Sequence, residues 1–217
     1  MWHYVITDGY GWAPTYGTEQ TDNAREIWNT LVGEYGWTEQ SASAVLGNFQ
    51  VESFINPGQW EIGEDYSMLS GAGIGQWTPA TKISNYIGST NKDDMADGAK
   101  QMMLFINTPS QYSTIYLHSD GTAPYYHESG LPYITTMEDF SHSTASIEEL
   151  TRLWAVCWER PGSVYYTSSI GSRINHANHW YEEFTGSTPT PPTPPTPPTP
   201  QEAQLAFWFL MKRRKRR

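Results

Sequence analysis

Apolar residues recur along much of the chain three or four positions apart, which is the spacing of one helix face. The first such segment predicts a helix that begins with Asp22 as its N-cap and ends at Gly36. A second helix is predicted to begin near Thr38, and its apolar stripe includes Val45 and Phe49. These two helices are expected to form a hairpin.

Glu52 lies on the same face of the second helix as Val45 and Phe49, at positions i, i+4 and i+7. Its carboxylate is therefore expected to point toward the core or a cleft wall. The turn signal at residues 56–58 predicts that the helix stops just after Glu52. The macrodipole disfavours negative charge in a last turn, so the protonated form that a general acid needs is favoured. The alternative is a surface glutamate at a fraying helix end.

Helical spacing returns in four later segments of the chain. In the third of them, Ser146 and Glu149 form a capping-box pattern, and Arg160-Pro161 is expected to stop the helix. Cys157, the only cysteine, falls on the apolar face of this helix and is predicted to be core. The four predicted helices cover residues 82–87, 92–106, 146–160 and 171–184.

Residues 56 to 77 differ from their surroundings because turns, aromatic residues and glycines replace the helical pattern. They predict a small β-hairpin and then a tight glycine loop at residues 70–77. Glycine lets a backbone come close to a bound ligand, so the loop is expected to present Gln76 and Trp77. The predicted fold class is therefore α+β and mostly helical, with a small β-hairpin beside the cleft.

A Thr-Pro-Pro repeat near the end of the chain predicts a stiff polyproline II spacer that ends the folded domain. The segments before and after it differ in composition, and residues 1–20 show no helical period. The predicted organisation is an N-terminal arm at 1–20, a catalytic domain at 21–186, a Thr/Pro-rich linker at 187–200 and an apolar and basic tail at 201–217.

The net charge of the chain limits the classes of partner that it can bind. Residues 1–200 carry 7 basic and 22 acidic residues, a net charge of about −15, which argues against nucleic-acid binding. Residues 203–217 are apolar and then basic; they are too short to span a bilayer as a helix but suit an anionic membrane surface. The alternative to membrane contact is that these residues form a flexible tail or an assembly peptide. His176 and His179 are three apart, but no third ligand is near them in sequence, so no metal site is predicted.

Five motifs occur in an order that matches a known family, and the chain resembles the phage tail lysozymes over about residues 21 to 185. These are peptidoglycan-degrading domains at the tail tips of phages that infect Gram-positive bacteria. More distantly the chain resembles the lytic transglycosylases and goose-type lysozymes. The motifs are Gly36-Trp-Thr38, Leu46-Gly-Asn48, Glu52-Ser-x-x-Asn-Pro57 with Gly73-Ile-Gly75, Gln76-Trp-Thr-Pro79 and Glu159-Arg-Pro161.

The resemblance implies a lysozyme-like fold and cleavage of the β-1,4 bond between N-acetylmuramic acid and N-acetylglucosamine. It implies that Glu52 is the general acid, which protonates the leaving oxygen of an oxocarbenium-like transition state. Glu61 and Asp65 are the candidates for a second catalytic carboxylate. If neither serves, a group of the substrate itself attacks, and a 1,6-anhydro sugar can replace the hydrolysis product. No cofactor is expected.

The resemblance also implies a substrate-binding role for Gln76 and for Ser53, which follows the catalytic glutamate in the motif. Trp60, Tyr66 and Trp77 are predicted to stack on sugars, with hairpin packing as the alternative for each.

Two other classes of function compete with the enzyme. One is a non-catalytic peptidoglycan-binding module, and the other is a membrane-active protein that works through residues 203–217. The first residues show no secretory signal, so the protein is expected in the virion tail tip or released to the bacterial wall. Its expected partners are peptidoglycan and other phage tail proteins, and its role is genome delivery or lysis.

Overall fold

The computed structural model describes residues 1–9, 13–114 and 131–189. Within these ranges the chain is mostly helical, which confirms that part of the predicted fold class. The α-helices there are α1 Thr18–Trp28, α2 Glu39–Ser53, α3 Thr81–Ile87, α4 Lys92–Met95, α5 Gly98–Ile106, α6 Met137–Ser141, α7 Ile147–Trp154 and α8 Ser163–Thr185. Two π-helical segments, Asn29–Glu34 and Ala155–Glu159, continue α1 and α7, and a 3₁₀ turn covers Pro109–Gln111.

Helix α2 lies at the centre of the fold, packed against α7 and α8. Every residue from Ser41 to Gln50 is buried, so this part of the helix has no exposed face. Gly47 allows α8 to approach closely: a Cβ there would lie 2.4 Å from the carbonyl oxygen of Arg173 and 2.6 Å from the Cβ of Ala177. The close crossing brings Arg173 beside the end of α2.

An aromatic cluster forms the core next to α2. Trp154 stacks on Trp158 with ring centroids 4.8 Å apart, and Phe105 lies 5.6 Å from both Trp154 and Phe49. Cys157 is fully buried in the same core, as the sequence predicts, and burial raises the pKa of its thiol to about 11.

Two predicted helix starts are confirmed. Thr38 is the N-cap of α2, and its hydroxyl accepts a hydrogen bond from the Ser41 N–H at 3.2 Å. Ser146 and Glu149 form the reciprocal hydrogen bonds of a capping box at the start of α7. Both caps depend on a few neighbouring residues, so they can be predicted from local sequence.

Three other predicted helix boundaries are wrong. Helix α1 begins one turn before Asp22. The helix predicted over residues 92–106 is two helices, because Asp97 adopts an extended backbone and caps α5. Helix α8 begins at Ser163 rather than near Gly171, directly after the turn that ends the π-helical segment.

The segment between α2 and α3 contains isolated β-bridges, and the predicted β-hairpin is not confirmed. Antiparallel bridges join Ala72 to Trp60 and to Trp77. A parallel bridge joins Thr7, in the N-terminal arm, to Gln59. The arm therefore packs on this segment where the structure describes it.

The linker predicted at 187–200 lies outside the described residues from position 190 onward, as does the whole tail at 201–217. Their boundaries and roles stay predictions. Among the residues that the structure does describe, no helix combines the length and the apolar character needed to cross a membrane.

Candidate active site

A cavity of about 460 Å³ opens beside the C-terminal end of α2. Its helical wall consists of Glu52, Trp158, Glu159, Arg160 and Tyr165, which come from α2, the π-helical segment after α7 and the start of α8. Its loop wall faces them and consists of residues between α2 and α3 together with the start of α3: Gln59, Trp60, Glu61, Ile62, Gly71, Gly75, Gln76, Thr78 and Lys82.

Glu52 lies in the last turn of α2, and 16% of its side-chain surface is exposed. The helix ends at this point because Phe54 and Ile55 both take positive φ angles, 54° and 55°. The chain therefore turns away and leaves the carboxylate at the cavity. The place of Glu52 in the last turn of a helix is the one expected from the sequence.

Arg173 of α8 is fully buried and forms an ion pair with Glu52. Its Nη2 donates to Oε1 of Glu52, its Nη1 donates to Oδ1 of Asn48 at 2.8 Å, and its Nε donates to Oγ of Ser169 at 3.3 Å. Asn48 is fixed in turn because its Nδ2 donates to the carbonyl of Thr151 at 3.2 Å. The buried guanidinium thus connects the end of α2 to α8 through Glu52 and Asn48.

A second carboxyl group, that of Glu159, lines the same wall. Its Oε1 accepts a hydrogen bond from Nε1 of Trp154 at 3.0 Å. Burial, and then the negative charge of Glu52, raise the pKa of Glu159 well above its usual value, while Arg173, the Trp154 hydrogen bond and Arg160 act in the other direction. The cavity wall therefore carries one carboxyl group whose pKa is raised and one that is paired with a guanidinium.

Gln101 of α5 holds the glycine loop from behind and is fully buried. Its Oε1 accepts from the Ile74 N–H at 2.9 Å, and its Nε2 donates to the carbonyls of Pro57 at 2.8 Å and Met95 at 2.6 Å. Gly73, with φ of 78°, leaves room for this amide because a Cβ there would lie 2.5 Å from Oε1 of Gln101.

Ser53 connects the end of α2 to the same loop. Its hydroxyl is fully buried and contacts the carbonyls of Phe49 at 3.0 Å and Ile74 at 2.8 Å, to which it donates. The side chain does not line the cavity. The structure therefore places this predicted substrate-binding residue behind the loop, where it positions the loop backbone.

Three of the residues predicted from the loop sequence do line the cavity: Trp60, Glu61 and Gln76. The carboxylate of Glu61 is exposed and accepts a hydrogen bond from the Gly71 N–H at 2.8 Å. The Nε2 of Gln76 donates to the carbonyl of Gly73 at 3.1 Å. All three residues belong to the loop wall, where Trp60 is 3% exposed and Glu61 is exposed.

Asp65, Tyr66 and Trp77 do not line the cavity. Asp65 is exposed and lies in a turn with φ of 46°. The ring of Tyr66 packs edge-on against Trp60 at 5.9 Å, and the Lys92 ammonium lies 3.7 Å from its centroid. Trp77 is 1% exposed. For Tyr66 and Trp77, the packing alternative describes the observed positions.

Lys82 and Arg160 bring positive charge to the cavity. Desolvation of its ammonium group and the charge of Arg160 lower the pKa of Lys82. The Nη2 of Arg160 donates to the carbonyl of Gln111. Together with Arg173, three of the 7 basic residues that precede position 201 lie at this site, so the site concentrates cations in an acidic protein.

His176 and His179 of α8 contact Tyr16. The Tyr16 hydroxyl and Nδ1 of His176 share a hydrogen bond of 2.5 Å, and the His179 ring stacks on the Tyr16 ring at 3.5 Å. Burial lowers the pKa of both histidines, that of His176 to about 4, so both are neutral near pH 7. Across the ranges that the structure describes, no three His, Cys, Asp or Glu side chains form a group that could hold a metal ion.

Sequence reasoning misses the roles of three residues at the site: Arg173, Glu159 and Gln101. Glu159 belongs to a family motif, but the motif does not state what the side chain does. A signal for Arg173 was available. Ala177 and Trp180 lie four and seven residues after it and are both buried, so Arg173 lies on the apolar face of α8. A charged residue on an apolar helix face is rare without a partner, so it indicates a buried carboxylate nearby.

The geometry defines a mostly helical domain in which two carboxyl groups and a guanidinium meet at a cavity, an arrangement suited to acid–base chemistry. The sequence profile of the phage tail lysozyme family matches residues 22–184, and the chain belongs to that family. One similar protein is Morphogenesis protein 1 of Bacillus phage B103, with 31% identity over 170 residues. The matched region covers 77% of this chain and 40% of that relative, so the chain spans less than half of the relative's length.

Proposed function

We propose that the domain cleaves the glycan strands of peptidoglycan at the β-1,4 bond between N-acetylmuramic acid and N-acetylglucosamine, with Glu52 as the general acid. The observation that carries this proposal is the position of Glu52 at the end of α2, facing a cavity of about 460 Å³ in a phage tail lysozyme domain. That volume lies within the usual range of ligand sites.

Cleavage of a glycosidic bond requires a proton at the leaving oxygen while positive charge develops at the anomeric carbon. In the proposed mechanism Glu52 supplies this proton from the helical wall. Trp60 and Gln76 contact the sugars from the loop wall, since both line the cavity. Glu61 is the better supported second carboxylate, because it lines the cavity and Asp65 does not.

The proposed biological role is local opening of the bacterial wall by a virion component during genome delivery or lysis. The family and the name of the phage relative support a place among tail proteins. Peptidoglycan and other tail proteins are the proposed partners. Contact with a membrane surface through residues 203–217 stays a prediction, because those residues lie outside the described ranges.

The test is release of muropeptides from purified Gram-positive sacculi, followed by mass spectrometry, for the wild type and Glu52→Gln. We expect the variant to lose activity by about 10²–10⁴-fold, the usual contribution of a general acid. Glu64→Gln is the matched control, because Glu64 is exposed, lies on the same loop and does not line the cavity. It should retain wild-type activity.

The products identify the reaction. New reducing ends on muramic acid that disappear in Glu52→Gln would support a muramidase. Ends in the 1,6-anhydro form would instead show a lytic transglycosylase that uses the same acid. If neither protein releases products while both bind sacculi, the enzyme proposal fails and a binding module is the better description.

A further inference from the structure

Two carboxyl groups belong to the helical wall, and one fully buried cation, Arg173, pairs with the first of them. Glu52 is paired with Arg173, whose guanidinium donates hydrogen bonds to Glu52, Asn48 and Ser169. Glu159 lines the same cavity, and its hydrogen-bond donor is the neutral indole N–H of Trp154 at 3.0 Å. The guanidinium therefore neutralises one carboxylate directly, and the second has no such direct partner within the described residues.

The π-helical segment is what gives Glu159 this position. In a π-helix the hydrogen bonds join residues five apart, and the Arg160 N–H donates to the Ala155 carbonyl at 2.8 Å in that register. Trp154 and Glu159 are also five apart, so their side chains meet along one turn. The wider turn thus holds a carboxyl group over an indole at the cavity wall.

The charges around the two carboxyl groups favour one shared proton. Two like charges near each other resist ionising together, so the second ionises at higher pH than the first. Four groups influence the pKa of Glu159. They are Glu52 from α2, Arg173 from α8, and Trp154 and Arg160, which flank the π-helical segment. Glu61, Lys82 and Tyr165 are the other titratable groups that line the cavity.

We propose that Glu52 and Glu159 hold a single proton between them, and that Glu159 is a positioning residue that retains this proton until Glu52 delivers it. The inference rests on the proposed function, because it explains how a glutamate paired with Arg173 acts as an acid. In the proposed resting site the proton is on Glu159, and Glu52 forms its ion pair with Arg173. During the reaction the proton passes to Glu52 and then to the leaving glycosidic oxygen.

The proton count closes over one turnover. Glu159 loses its proton and Glu52 gains it; the C–O bond breaks, and the leaving sugar keeps the proton as its hydroxyl. A water molecule, or the C6 hydroxyl of the muramic acid, then forms the new bond to the anomeric carbon and returns one proton to the carboxyl pair. The pair is thereby restored to its starting state in either case.

The first test is the pH profile of glycan cleavage for Glu159→Gln, in which the amide keeps the size of the side chain and can still accept the Trp154 hydrogen bond. Without the stored proton, Glu52 must be protonated from solvent beside Arg173. We expect the alkaline limb of the profile to move down by about one pH unit or more. Activity above the wild-type optimum should fall about tenfold and return at lower pH.

Glu34→Gln is the matched control, because Glu34 also ends a π-helical segment but is exposed and does not line the cavity. Glu159→Asp keeps a carboxyl group and should retain part of the alkaline limb. A purely structural role would lower activity equally at all pH values. A Glu159→Gln profile with the wild-type alkaline limb would overturn the proposal.

A second test needs no catalysis. Infrared difference spectra of the full chain should show a protonated carboxylic acid near neutral pH that is absent in Glu159→Gln. In Glu52→Gln this acid should ionise at lower pH, because the neighbouring negative charge has been removed. A wild type without the acid band would overturn the shared proton even if muropeptides are released. A band that behaves as expected in a protein without muropeptide release would instead overturn the proposed function alone.

Discussion

The helical wall and the loop wall of the cavity differ in the kind of polar group that each one buries. On the helical wall the buried groups are ions. Arg173 is fully buried, Glu52 is 16% exposed at its side chain, and Glu159 is half-buried. Each of these groups lies within the electrostatic influence of the other two.

On the loop wall the buried polar groups are amides. Gln59 is 2% exposed, and Gln101, which supports the loop from behind, is fully buried. The Nε2 of Gln59 donates to the carbonyl of Trp60 at 2.7 Å, so this amide fixes backbone as Gln101 does. The ions of this wall, Glu61 and Lys82, are exposed.

This difference separates two tasks. Buried ions control one another's protonation, because each charge changes the energy of its neighbours in a medium of low dielectric constant. Buried amides keep their hydrogen bonds at every working pH and hold a backbone in place. We therefore expect the helical wall to set the protonation state of the site, and the loop wall to set its shape.

The largest expected effect is that of Arg173→Met. The substitution removes the fully buried cation that pairs with the helical wall, and it leaves the Glu52 carboxylate and Oδ1 of Asn48 without the guanidinium. Breaking a buried ion pair by removing one member typically costs about 3–5 kcal/mol. We expect a loss of that size in the free energy of unfolding, measured by chemical denaturation near neutral pH.

The double variant Arg173→Met with Glu52→Gln serves as the control for this prediction. Because it removes both charges, it should lose less stability than the sum of the two single variants. Additive losses, or a cost below about 1 kcal/mol for Arg173→Met alone, would show that the ion pair is not the main polar contact of the helical wall.

The sequence predicts the features of this site that depend on neighbouring residues. Thr38 and the Ser146–Glu149 pair are caps whose partners lie three residues away, and both are observed. Glu52 at a helix end follows from apolar spacing and from the Asn-Pro-Gly turn just after it. The place of Glu52 in the helix could be predicted from the sequence, but its position at a cavity is known only from the structure.

The contacts that complete the site are tertiary and have no local signature. Arg173 and Glu52 are 121 residues apart in sequence, and they meet because Gly47 permits a close crossing of α2 and α8. The π-helical turn that positions Glu159 interrupts a segment whose apolar spacing predicts an ordinary α-helix. Similarly, Asp97 matches a helix interior by spacing but acts as a cap, which divides one predicted helix into two.

The second largest effect is expected on the loop wall, from Gln101→Met. Methionine has a similar size but cannot make the hydrogen bonds to Ile74, Pro57 and Met95. Each of the three groups left without this partner costs about 1–3 kcal/mol, but the buried amide is removed as well, so we expect a net loss of about 2–4 kcal/mol. Activity should fall by more than the loss of stability accounts for. The pH profile of activity should keep the wild-type shape.

Gln40→Met is the control for this variant, because it makes the same change at a half-buried position in the first turn of α2. It should change the free energy of unfolding by less than about 1 kcal/mol. A shifted pH profile in Gln101→Met would contradict the division of tasks between the two walls.

The smallest of these effects concerns the crossing that holds the helical wall together. In Gly47→Ala the new methyl group would lie 2.4–2.7 Å from atoms of Arg173 and Ala177, two of them backbone atoms. Overpacking of this kind costs about 1–3 kcal/mol and should displace α8, so the alkaline limb of the pH profile should move as well.

Gly171→Ala is the matched comparison, since Gly171 lies in the interior of α8 with nothing within 4 Å of the new methyl group. Alanine is the better helix former there, so this variant should be more stable than the wild type by up to about 1 kcal/mol, with an unchanged pH profile. Opposite signs for the two substitutions would show that Gly47 is required by helix approach rather than by backbone freedom. Equal signs would mean that α8 can shift on α2 without cost, and the Arg173–Glu52 pair would then need another explanation.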